Sequence, residues 1–188
     1  MSVIRPRRLG HLVLKVRDIH ASVKFYTEIV GLEVSDWIED QMVFLRCSSD
    51  HHDLALFQLP KDSPHFNDAP KEGGPGLEHF SYEVGSYAEM KDAAKMLQER
   101  GIEIVRGIGK HGPGENLFLV FKDPDGNFVE IYCEMVQVTE DKPYEPKVWK
   151  DDLNGFDQWH FAKFVVEPPA YYKEKAENLK TSGDQASD

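Results

Sequence analysis

The sequence is poor in cysteine. Cys47 and Cys133 are the only two. Two cysteines do not make the disulfide framework of a small secreted domain, so a reducing cytoplasm fits. Long apolar runs are missing as well. No stretch approaches the ~20 apolar residues that a membrane helix needs, and Met1–Arg8 has no apolar segment behind its arginines, so no signal peptide is expected. Basic charge is in deficit: 22 Lys and Arg stand against 33 Asp and Glu, a formal net charge of -11. That balance argues against nucleic acid or an anionic membrane surface as a partner and says nothing against a small molecule. What is present is ordinary for a globular protein: 188 residues, 40% hydrophobic and 29% charged, enough for one domain or two small modules sharing a core.

Proline and glycine punctuate the chain most densely over Pro60–Gly76, which reads as a connector. The same order of elements stands on either side of it. Leu9–Val16 reads as a strand, with Leu12, Leu14 and Val16 on one face and His11, Val13 and Lys15 on the other. Asp18 caps a helix that Gly31 ends, and strands follow at Leu32–Glu39, Gln41–Cys47 and Asp53–Leu59. After the connector, Glu78–Val84 is a strand with His79, Ser81 and Glu83 on one face. Ser86 starts a helix ending at Gly101, and Ile102–Ile108 is the next strand. A hairpin closes the set: Leu117–Phe121 and Phe128–Cys133 flank Lys122-Asp123-Pro124-Asp125-Gly126-Asn127, which is strong turn chemistry. His11 and His79 lie 68 residues apart, as do Val16 and Val84. The expected fold is therefore α+β: two tandem βαβββ modules, about 7–60 and 76–136, forming a curved mixed β-sheet with helices outside, in a domain spanning 1–138. Residues 139–188 read as a C-terminal extension. It is an irregular tail packed as far as about Pro169, followed by polar Lys173–Asp188 with a disordered end.

Alternation along Phe128–Cys133 puts Phe128, Glu130 and Tyr132 on one face. Glu130 thus interrupts an apolar strand. Either that face is open to water, or the carboxylate is paired or bound to a metal. The duplication favours the second reading. It places His11 and His79 at equivalent positions of two strands, on the concave face shared with Glu130. Two histidines and one carboxylate are the ligand set of non-haem Fe(II) oxygenases. Zn uses the same set, and Mn(II) is an alternative occupant. Asp53–Leu59 offers no further His, Glu or Cys, so three protein ligands are expected, with positions left for substrate and dioxygen. Phe128, Leu119 and Tyr132 suit an aromatic substrate and equally suit a packed core.

These residues resemble the vicinal oxygen chelate superfamily, the fold of glyoxalase I, antibiotic-resistance proteins and type I extradiol ring-cleaving dioxygenases. The resemblance is to the one-domain extradiol enzymes. It rests on His11 in GHLVLKV, His79 in LEHFSYEV, Glu130 in DPDGNFVEIY, the double histidine His51-His52 before DLAL, and Gly109-Lys110-His111 ahead of the hairpin. It implies an Fe(II)-dependent dioxygenase that cleaves a catechol-type diol. His11, His79 and Glu130 would hold the metal, with His52 as acid/base and His111 on bound substrate or dioxygen. Nine residues after His111 the family usually has a tyrosine; here it is Val120. Val120, Phe128 and Tyr132 are the residues expected against the substrate. The resemblance also allows a non-redox lyase, isomerase or thiol transferase of the glyoxalase type with Zn or Ni, or a metal-free drug-binding protein. Small members of the fold often assemble as homo-oligomers.

Overall fold

The computed structural model describes residues 7–69, 76–150 and 153–159. The expectations for the N-terminal leader, for packing as far as Pro169 and for Lys173–Asp188 fall outside these residues, in whole or in part. The elements are β1 Leu12–Val16, α1 Ile19–Phe25 continuing as a π-turn through Tyr26–Val30, β2 Glu33–Ile38, β3 Met42–Arg46 and β4 Leu54–Gln58. Then follow β5 His79–Glu83, α2 Tyr87–Glu99, β6 Ile104–Lys110, β7 Leu117–Lys122, β8 Phe128–Cys133 and the short α3 Leu153–Phe156. The α+β class and the doubled βαβββ order are those read from the sequence. Hydrogen bonding divides the strands into two four-stranded mixed sheets, β1-β4-β3-β2 and β5-β8-β7-β6, one for each repeat. In both, the first strand of the repeat pairs in parallel with the last. Among the described residues no helix is long and apolar enough to cross a membrane.

Local chemistry explains the elements. The Asp18 carboxylate accepts from the amides of His20 and Ala21 and opens α1. Gly31, at φ 88°, takes the left-handed conformation that stops it. Ser86 accepts from Glu89 N while Glu89 Oε2 accepts from Gly85 N, a reciprocal capping of α2. The central strands read as continuous apolar runs because both their faces are covered. Leu54, Ala55 and Leu56 are fully buried, and so is all of Leu117–Phe121.

Most strand ends lie within one residue of the sequence reading; the starts of β1 and β6 lie further off, and β6 runs on to Lys110, past the expected Ile108. β1 begins at Leu12, whose amide makes the bond to Asp53 O; Leu9 is 90% exposed and has no strand beside it. His11 therefore precedes the strand instead of lying on it. β6 begins at Ile104 because Gly101 N and Ile102 N still bond back to Gln98 O and Leu97 O at the end of α2.

Packing divides the chain into two units. One is Met1–Glu72 with Asp123–Gly126; the other is Gly73–Lys122 with Asn127–Asp188. The turn Asp123–Gly126 belongs to the first because its acids are bound there. Asp125 Oδ1 accepts from Arg17 Nε at 2.7 Å, Asp125 Oδ2 from Ser22 Oγ at 3.3 Å, and Asp123 Oδ2 from Tyr26 Oη at 2.7 Å. Ser22 and Tyr26 are fully buried. Replacing Asp125 by Ala strands Ser22 and half-buried Arg17. It is expected to lower stability by about 2–3 kcal/mol, read as a shift in the urea midpoint.

Cys133 is 1% exposed at the end of β8. Burial, then the charges of Glu134, Glu89 and Glu83, push its thiol up to about 11 from 9.0. A raised folded-state value means that the neutral thiol stabilises the fold fully below pH 9, and that this contribution disappears as pH rises through about 11. Cys133→Val should therefore lose less stability than the parent between pH 9 and 11. The difference should be about 2 kcal/mol in urea titrations run across that range.

Candidate active site

In the second unit, register builds the site. β5 and β8 run parallel with Ser81 beside Glu130, and antiparallel β7 sets Val120 opposite Glu130. His79, Ser81, Val120 and Glu130 therefore share one sheet face. Glu130 is 4% exposed. Ser81 Oγ donates to its Oε1 at 2.7 Å. Its Oε2 is buried and accepts no hydrogen bond. Instead it stands 3.7 Å from His79 Nε2 and 3.9 Å from His111 Nε2, too far for a hydrogen bond but close enough for charge to act. Burial opposes ionisation of Glu130, but His111, Ser81 and His79 outweigh it and hold the carboxyl below its ordinary value.

The hydrogen atoms on these rings can be assigned from their partners. His79 Nδ1 contacts the Glu78 carboxylate, which only accepts, so Nδ1 carries the hydrogen. His111 Nδ1 donates in the same way to the carbonyl of Phe156 at 2.7 Å. In the neutral rings both Nε2 atoms hold lone pairs; only with a proton there as well does a ring carry the charge that favours the ionised Glu130 carboxyl. In the neutral form the His79 lone pair and Glu130 Oε2 face each other at 3.7 Å. That pair fits a cation, and a ligating histidine commonly ties its other nitrogen to a carboxylate or carbonyl, as His79 does to Glu78. Among the described residues, no three His, Cys, Asp or Glu side chains already form a group that could hold a metal. The second unit by itself offers the pair His79 and Glu130.

His111 lies just beyond β6 and is held on two sides. Its ring stacks on Phe118 at 4.0 Å and 14°. Behind it, the segment after α3 docks on the end of β6. Lys110 N and Trp159 N both donate to Asp157 Oδ1 at 3.0 Å, and Gln158 N donates to Lys110 O at 2.7 Å. Asp157 is 3% exposed. Gly109 permits this approach, because a Cβ there would meet Phe118 Cζ at 2.4 Å and Asp157 Cγ at 2.9 Å. Val120 packs with Val105 and Phe118, and half-buried Phe128 lies against them. Tyr132 stands opposite Phe118, on the Glu130 face. Burial, then Glu83 and Glu130, push its phenol upward, so it stays protonated.

In the first unit, His11 and His52 are in ring contact, 4.6 Å between centroids. His51 Nε2 donates to Asp36 Oδ2 at 2.8 Å, and the Nδ1 atoms of His51 and His52 are 3.1 Å apart. Asp36 fixes the hydrogen of neutral His51 on Nε2. His51 Nδ1 then accepts from His52 Nδ1, which leaves His52 Nε2 with a free lone pair. Asp53 braces the turn before β4: it accepts from Cys47 N, Ser48 N and Ser48 Oγ at 2.8–2.9 Å. Burial opposes its ionisation, but these bonds hold the carboxyl below its ordinary value.

Sequence reasoning missed Ser81, Asp36, Phe118 and the Phe156–Asp157 segment. Ser81 was within reach, two residues beyond His79 on the same strand face.

The glyoxalase/bleomycin resistance protein/dioxygenase superfamily model matches residues 8–131. The chain belongs to this superfamily. Metapyrocatechase 2 of Cupriavidus necator is 30% identical over 134 residues, 70% of this chain and 38% of that protein. Biphenyl-2,3-diol 1,2-dioxygenase 3 of Rhodococcus globerulus is 29% identical over 139 residues, 71% of this chain and 67% of its own. The chain thus spans well under half of the first relative and two thirds of the second. A solved glyoxalase/dioxygenase of Nostoc punctiforme superposes with a TM-score of 0.58 at 25% identity, covering 71% of this chain and 97% of that one. The superfamily match ends before the docked segment. Asp157→Ala should release that segment and turn His111 from a single Nδ1–H form into a mixture, visible in ¹⁵N imidazole spectra. Asp157→Asn keeps the accepting Oδ1 and should preserve the single form.

Proposed function

We propose that the protein is an Fe(II)-dependent extradiol dioxygenase that opens a catechol-type aromatic diol with dioxygen. The observation that carries this reading is Glu130: a buried, ionised carboxylate with one oxygen held by Ser81 and the other unbonded beside the Nε2 of His79. His79, Glu130 and His11, the repeat equivalent of His79, would be the ligands. Two histidines and a carboxylate suit non-haem iron. β4 adds no ligand: its Gln58 is committed to Ile19 N, Arg17 O and Leu59 O. This counts against a four-ligand glyoxalase site. The names of the Cupriavidus and Rhodococcus relatives agree with diol cleavage.

Iron bound there would supply a Lewis acid and a template for the diol and dioxygen. The chain's own residues do the rest. Ser81 keeps the Glu130 carboxylate turned so that Oε2 is the free oxygen. His52, with Nδ1 engaged by His51, takes a proton from a diol hydroxyl on Nε2 and later returns it. His111, stacked on Phe118 and anchored through Nδ1, would stabilise charge developing on oxygen in the form that also carries a proton on Nε2. Phe128, Tyr132 and Val120 present apolar and aromatic surface to the ring and keep water from it.

Protein purified without oxygen should bind near-stoichiometric iron and convert members of a catechol panel to yellow ring-fission products with matching dioxygen uptake. Glu130→Gln should lose the iron. His52→Phe should keep the iron and turn over roughly 10²-fold more slowly or worse. Bound Ni, Zn or Mn without dioxygen uptake would overturn the dioxygenase reading in favour of a non-redox member of the superfamily.

A further inference from the structure

Among the described residues, three buried side-chain polar atoms lack a hydrogen-bond partner: Ser35 Oγ, Arg106 Nε and Glu130 Oε2. The last two stand in one cross-strand row. Arg106 pairs with Val120, and Val120 pairs with Glu130, so all three project from the same face of the second sheet. Arg106 is also the odd cation of these strands. Lys110 reaches Glu115 at 4.0 Å and Lys122 reaches Glu103 at 3.2 Å. Arg106 meets no carboxylate among the described residues, although the chain has 33 acidic side chains. Its guanidinium lies over Phe118, 5.1 Å from the ring centroid, and the His111 ring stacks on that same Phe118.

A half-buried guanidinium held over an aromatic ring, with its Nε unbonded, is an incomplete anion site. Leaving such a donor dry costs free energy that a ligand recovers. The planar guanidinium matches a carboxylate with two parallel hydrogen bonds. Glu130 marks one end of the row and Arg106 the other, two strand spacings or about 10 Å apart. We infer that Arg106 binds a carboxylate substituent of the substrate, so that the preferred ligand is an aromatic diol carrying an acid on a short arm. This inference rests on the proposed diol site for the diol end; the anion site itself does not.

The test pairs a catechol bearing a short alkanoate arm with its neutral carboxamide. For the iron-loaded protein, kcat/KM should favour the carboxylate by about 10- to 100-fold, as a charge-assisted pair implies. Arg106→Gln should remove that preference by lowering the carboxylate value and leaving the amide value unchanged. Arg106→Lys should restore part of it. A merely structural role would depress both substrates alike, and equal kcat/KM values in the parent protein overturn the inference. A second arm needs no turnover. Thermal-shift titration with phenylacetate and phenylacetamide should show stabilisation by the carboxylate alone, lost in Arg106→Gln. If no diol is cleaved yet this selectivity holds, the dioxygenase reading fails and the anion site stands. If diols are cleaved without selectivity in either arm, the reverse is true. Where Arg106→Gln does not fold, Arg106→Met keeps an apolar stem over Phe118 and serves the same comparison.

Discussion

A carboxylate shut away from water is the constraint on which this structure turns. Removing an ion from solvent costs several kcal/mol, and its partners must restore what hydration supplied. At Glu130 the restoration is half complete: Ser81 bonds one oxygen, and the other faces two imidazoles beyond hydrogen-bonding distance. The parallel pairing of β5 with β8 makes this arrangement. Because side chains alternate along a strand, a slip of one residue would send Glu130 to the opposite face and separate it from both His79 and Ser81. The register is in turn held by the buried apolar residues of β7 and β8, which tolerate no such slip. A stable core thus maintains an unsatisfied polar centre, which is what a site for a cation requires.

The other acids of the hairpin show the contrast. Asp123 and Asp125 lie a few residues from Glu130 in sequence, yet Tyr26, Ser22 and Arg17 use them for structure. Charge is distributed by the same rule on the second sheet, where Lys110 and Lys122 have their acids. In a chain so rich in carboxylates, an arginine left without one among the described residues is more informative than any of the completed pairs. Completed pairs explain themselves; incomplete ones point to something that binds.

What the sequence made legible follows from periodicity. The helices were readable because Asp18, Gly31, Ser86 and Gly101 mark their ends by local chemistry. The face of Glu130 was readable because its strand alternates with apolar neighbours around a single charge. The face of Phe118 was not: Leu117–Phe121 is apolar at every position, so no alternation distinguishes its two sides. His11 was placed on β1 by extending the pattern upstream, but a strand needs a partner for its ladder, and the pairing begins at Leu12. The role of Asp157 was out of reach for a different reason. It acts 46 residues downstream of His111 through main-chain amides, and nothing in local composition announces such a contact.

The histidines share a mode of construction. His79 and His111 each commit Nδ1 to an acceptor that cannot donate, Glu78 in one case and the Phe156 carbonyl in the other. His51 commits Nε2 to Asp36 and so passes a defined hydrogen position on to His52. Each ring is therefore fixed in its hydrogen placement before any ligand arrives. A free imidazole would have to choose a tautomer and an orientation at the moment of binding, and that reorganisation would weaken the interaction. Rings whose lone pairs are set in advance avoid it, which is the electrostatic advantage of a preorganised site over solvent. The same reasoning extends to Arg106, whose guanidinium rests on Phe118 and is partly immobilised by it. On each of these side chains the structural contacts lie on one side, and among the described residues they leave His79 Nε2, His52 Nε2 and Arg106 Nε unbonded.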